Sequence, residues 1–130
     1  MNTTTRCEII PLFPTPLFVI NDFITEEERV KIYQSIKKVN SLPHTAMSGN
    51  ATSSHYAEGE EVDFLDEEIK ERIQNALDEY SNGYGCSNTQ IDLIWFNIQM
   101  KGSALKEHIH VNSLLSGALY INANDGLVFH

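Results

Sequence analysis

The feature that most constrains this chain is a change of hydrophobic period near residue 90. Before it, apolar residues recur at helical spacing in two blocks. Ile32, Ile36 and Val39, with Tyr33 beside them, make one face; Leu65, Ile69, Ile73, Leu77 and Tyr80 make another. From Gln90 the period is two. Ile91, Leu93 and Trp95 alternate with Asp92, Ile94 and Phe96, and the run continues to Met100. Helices first and strands clustered afterwards read as an α+β, mainly β, domain with its helices packed outside a sheet. At 130 residues the chain has room for one domain. It divides into helical support over 21–85 and the start of a sheet core over 88–130.

The local signals sharpen these elements. Thr25-Glu26-Glu27-Glu28 is a capping box, and its three glutamates suit a helix N-terminus, which predicts a helix over 25–39. A second helix is expected over 63–80, stopped by Asn82-Gly83. Between them, 40–61 is rich in Ser, Asn, Gly and Thr and reads as a long surface loop with at most one short strand. The run 90–100 has two apolar faces and is expected to be a central strand. A short strand is expected at 107–111, and a longer one over 114–122 with Gly117 inside it, where a glycine permits close approach of a ligand or another backbone. Asn124-Asp125-Gly126 signals a hairpin into Leu127-Val128-Phe129. Upstream, Pro11, Pro14 and Pro16 keep 7–20 extended.

Composition excludes several functions. Nine Lys+Arg against 18 Asp+Glu give a net charge of −9, which repels phosphate backbones and anionic lipid, so neither nucleic acid nor a membrane surface is an expected partner. No run approaches the roughly 20 apolar residues of a membrane span. The polar Met1 to Arg6 does not read as a leader, so a cytoplasmic location is expected. Cys7 and Cys86 form no CxxC and read as inert thiols. There is no GxGxxG, P-loop or GxSxG.

The candidate chemistry lies in Gly102-Ser-Ala-Leu-Lys-Glu-His108-Ile-His110. Residues two apart on a strand share a face, so both imidazoles can converge on one metal ion such as Fe, Zn, Ni or Cu. Without a metal they are two hydrogen-bonded or surface imidazoles. Glu107 would face the other way. His44 and His55 fall in the long loop and read as solvated, and Glu58 to Glu61 reads as a solvated face.

Pro14-Thr15-Pro16-Leu17-Phe18, Trp95-x-Asn97, Gly102, His108-x-His110 and Leu115-Ser-Gly-Ala-Leu-Tyr120 occur in that order. Together they resemble a family of Fe(II)/2-oxoglutarate-dependent oxygenases of marine bacteria and their phages. Asn21-Asp22-Phe23-Ile24-Thr25-Glu-Glu-Glu resembles the helix start of many oxygenases in the same superfamily. The resemblance spans nearly the whole chain. It implies a double-stranded β-helix, a cupin-like jelly roll. It implies Fe(II), with 2-oxoglutarate as co-substrate, in a hydroxylase-type oxidoreductase that couples O2 and 2-oxoglutarate decarboxylation to C–H hydroxylation. By position His108 is the first metal ligand. His110 stands where the superfamily usually has Asp, so it either coordinates as a neutral ligand or sits behind the ligands. Asn97, on the face of Trp95, either contacts 2-oxoglutarate or makes a local structural bond, and Tyr120, as an interior tyrosine, either contacts it or packs with its hydroxyl satisfied. Trp95 itself packs in the core or lines the pocket.

The family's late histidine and late arginine have no counterpart here, and His130 comes too early for the distal ligand. The chain therefore reads as a domain whose barrel is incomplete, and residues 1–130 alone are expected to show no 2-oxoglutarate turnover. Two other functions stay open. One is a cupin-like module binding a metal or small ligand, although the glutamate that motif carries after its histidines is missing. The other is an inactive interaction fragment, dimerising through an unpaired sheet edge. The substrate, small molecule or protein, is not specified by these motifs.

Overall fold

A computed structural model describes residues 16–57 and 63–122. The hairpin at 124–126, the strand expected at 127–129, the acidic run at 58–61, Cys7 and His130 lie outside them. The elements in order are α1 (Glu26–Ile36), β1 (Leu42–Pro43), β2 (Met47–Ser48), β3 (Ala51–Ser53), a 3-10 turn (Ser54–Tyr56), α2 (Glu67–Gly83), β4 (Asn97–Gln99) and β5 (Ala104–Leu105). They make two antiparallel sheets, β1-β3-β4 and β2-β5, and no closed barrel among the described residues. None of the described helices is long and apolar enough to cross a membrane.

Both helices form where the period of 3.6 places them, although α1 ends at Ile36, short of the expected 39. Thr25 caps α1: its Oγ1 accepts from the Glu28 amide at 3.2 Å, and Glu28 Oε2 accepts from the Thr25 amide at 2.8 Å. α2 starts later than expected, with Asp66 at its N-cap, and runs through Gly83. Its stop is Gly85, at φ +68. The Cys86 amide donates to the Ser81 carbonyl and the Gly85 amide to the Asn82 carbonyl, which satisfies two terminal carbonyls in a Schellman motif.

Ile32 and Ile36 of α1, Leu65 and Ile69 before and within α2, and Phe96 form the core; Ile24, Val39, Phe64, Ile73, Ile94 and Ile121 pack around it. Ile69 is 1% exposed. An ion pair also joins the helices. Glu28 Oε1 accepts from Arg72 at 2.6 Å, while Arg72 donates its other terminal nitrogen to the Phe23 carbonyl. Glu28 thus caps its own helix with one oxygen and holds α2 with the other. The Arg72 guanidinium lowers the Glu28 carboxyl below the usual carboxylate range, assisted by the Thr25 amide.

The strands depart from the sequence expectation. The loop at 40–61 carries β1, β2 and β3, and β3 is the central strand of its sheet. Strands of two or three residues are too short to register a period of two. The run 90–100 enters the ladder only at Asn97–Gln99, and as an edge strand. The preceding residues are held by side chains instead. Gln74 of α2 accepts from the Ile91 amide and donates to the Thr89 carbonyl. Ser54 Oγ accepts from the Phe96 amide at 3.0 Å, and the Ser54 amide donates to the Phe96 carbonyl at 3.1 Å. Among the described residues no ladder forms over 107–111 or 114–122, where strands are expected. Leu115, Leu119 and Ile121 are half-buried while Ser116, Ala118 and Tyr120 are exposed, so the alternation persists without a partner strand among the described residues. A Cβ at Gly117 would meet nothing within 4 Å among the described residues. Gly49 is the glycine that packing requires: at φ +80, its Cβ would lie 3.0 Å from the Ser103 backbone.

Two outcomes follow. Replacing Ser54 with Ala strands the Phe96 amide and should destabilise the fold by about 1–2 kcal/mol in urea unfolding. An unchanged midpoint would show that water replaces the hydroxyl. Glu28→Gln keeps the cap but loses the charge. The depressed carboxyl contributes stability above its unfolded pKa, and that contribution is lost as pH falls through the folded value. Thermal melts should show the variant less stable than wild type at pH 7, with the gap closing on acidification. Parallel profiles would contradict the pairing.

Candidate metal site

His108 and His110 follow β5 and belong to no ladder among the described residues. They nevertheless share one side, with Nε2 atoms 3.1 Å apart and ring centroids 4.9 Å apart. At metal–nitrogen bonds of about 2.0–2.1 Å, this separation subtends roughly 100° at a shared ion, an angle between neighbouring ligands in tetrahedral and octahedral sites. His108 Nδ1 lies 3.0 Å from the Lys106 carbonyl oxygen. A carbonyl only accepts, so Nδ1 carries the proton and, in the neutral ring, Nε2 carries the lone pair. Metal-bound histidines are oriented in this way, by a hydrogen bond from the nitrogen away from the ion. Without metal, His110 donates its Nε2 proton to His108. Binding requires His110 to carry its proton on Nδ1 instead.

The indole of Trp95 stacks on His110, with centroids 5.7 Å apart and planes at 22°. The position of Trp95 follows from its neighbour. Ser53 and Ser54 hold the backbone of Phe96, whose ring enters the core edge-on to Phe64. Side chains alternate in extended chain, so Trp95 takes the opposite side.

Two residues the sequence assigned to solvent also stand here. The His55 ring lies 5.3 Å from Trp95 and 5.3 Å from Tyr56, and Tyr56 meets His44 edge-on at 5.2 Å. Four histidines, one tryptophan and one tyrosine thus form a continuous run of ring contacts: His108, His110, Trp95, His55, Tyr56, His44. Burial pushes the His44 pKa below the ordinary histidine value, and charge on His108 or His55 acts in the same direction. Nothing in the loop composition signals this gathering. It depends on pairings such as Met47 with Leu105 and Thr52 with Ile98, which join residues far apart in sequence.

Asn97 and Tyr120 are the other two sequence candidates. Asn97 is exposed at the start of β4, where its backbone pairs with Ser53, and no hydrogen bond joins its side chain to either imidazole. Tyr120, expected as an interior tyrosine, lies instead on the exposed face of its segment, because Leu119 and Ile121 take the half-buried side. Among the described residues, no group of three or more His, Cys, Asp or Glu is arranged to hold a metal ion. The donors fit two positions of an Fe(II) site, and both are imidazole nitrogens.

Comparison with known proteins finds no matching family model, no matching curated protein and no matching solved structure.

Proposed function

We propose that His108 and His110 hold a divalent transition metal, and that the chain is the metal-holding part of an Fe(II)- and 2-oxoglutarate-dependent oxygenase domain of the jelly-roll kind. The observation that carries the metal reading is the paired Nε2 geometry together with the Lys106 carbonyl that fixes the His108 tautomer. The choice of iron and 2-oxoglutarate rests on the ordered motifs of the sequence and on the suitability of imidazole for iron.

In this reading His108 contributes a lone pair already oriented by the backbone, so little ordering remains on binding. Trp95 covers one face of His110, limits its rotation and keeps water from that side. Asn97 and Tyr120 are the proposed polar contacts of the co-substrate. Iron with 2-oxoglutarate supplies the oxidation of a C–H bond. The tasks of this chain are to hold the ion, orient the ring nitrogens and leave the remaining coordination positions to other groups.

Anaerobic titration with Co(II) tests the metal reading. Trp95 is the sole tryptophan and touches His110, so its fluorescence should be quenched as the paramagnetic ion binds. His108→Ala should weaken binding at least tenfold, and His110→Ala likewise. Equal affinity in wild type and His108→Ala would remove His108 as a ligand and end the proposal.

A further inference from the structure

The ribbon of β2 and β5 pairs Met47 with Leu105 and Ser48 with Ala104. It continues one step further, where the Lys106 amide donates to the Ala46 carbonyl at 3.3 Å. Ala46 and Lys106 therefore face each other at its end, and each fixes one histidine. The Ala46 amide donates to His44 Nδ1 at 3.1 Å, and the Lys106 carbonyl accepts from His108 Nδ1 at 3.0 Å.

The two bonds act in opposite senses. An amide N–H can only donate, so His44 Nδ1 carries a lone pair and its proton sits on Nε2. A carbonyl can only accept, so His108 has the reverse arrangement. One short ribbon thus presents an Nε2 lone pair on His108 and an Nε2–H on His44. His44 is half-buried, its ring is fixed edge-on to Tyr56, and it lies within electrostatic reach of His108.

We propose that His44 is a hydrogen-bond donor to a carboxylate bound on the metal of His108 and His110, and that it is not itself a metal ligand. This inference rests on the metal reading above. To coordinate through Nε2, His44 would have to move its proton to Nδ1, leaving two N–H groups facing each other at the Ala46 amide. As a donor it keeps that bond. A neutral N–H also supplies what a bound carboxylate requires in a chain of net charge −9, where like-charge repulsion opposes anion binding.

The experiment uses the 130-residue protein loaded with Co(II) and titrated with oxalate, followed by the visible Co(II) bands. His44→Ala should weaken oxalate binding about tenfold, the worth of a hydrogen bond to a charged group, while Co(II) affinity stays within twofold of wild type. His44→Gln, which retains an N–H donor, should recover part of the loss, and His44→Phe none. Unchanged oxalate affinity in His44→Ala overturns the proposal. So does a parallel loss of Co(II) affinity in folded His44→Ala and His44→Gln, which would make His44 a ligand. Failure of wild type to bind Co(II), or equal Co(II) binding by His108→Ala, overturns the metal reading and this proposal with it; failure in oxalate alone overturns only this one.

Discussion

The structure depends on how Ser53 and Ser54 grip Phe96. Ser53 is fully buried; its hydroxyl donates to the Phe96 carbonyl at 3.4 Å and accepts from the His55 amide at 3.2 Å. Ser54 closes the exchange from amide and hydroxyl together. Three of these hydrogen bonds join the loop strands to the segment that follows α2. They also set which way two large rings face. Phe96 turns into the helix core beside Phe64, and Trp95 turns to the histidines. Core and candidate site are consequences of one local arrangement, and Phe96 links them.

This arrangement also explains which parts were legible in the sequence. The helices were, because a capping box, early glutamates and apolar residues every three to four positions are all local signals. Their core residues Ile32, Ile36 and Ile69 were legible for the same reason. The sheets were not. The Ser-rich stretch at 51–56 looks like loop, yet its hydroxyls replace ladder bonds for Phe96, and the Gln74 side chain does the same for Ile91. A segment held in that way keeps an alternating pattern without becoming a strand, so 90–96 carried the signal and lacked the ladder among the described residues.

The site divides similarly. His108 and His110 were legible because their spacing is local and survives the absence of a strand. His44 and His55 were not, because their proximity to the pair depends on β2 meeting β5 and β3 meeting β4 across some fifty residues. Their surroundings of Ser, Asn and Thr are those of solvated loops. The only sequence trace is that four of the five histidines flank the segments that pair.

His108 and His44 differ in where each ring carries its proton. Backbone groups at the end of one two-stranded ribbon hold His108 with its proton on Nδ1 and His44 with its proton on Nε2. Long-range 1H–15N correlation spectra of the metal-free protein, recorded where the imidazoles are neutral, report the tautomer of each ring directly. His108 should show a protonated Nδ1 with a pyridine-type Nε2, and His44 the reverse. The same Nε2–H tautomer for both would contradict this arrangement, since the Lys106 carbonyl would then have no proton to accept from His108.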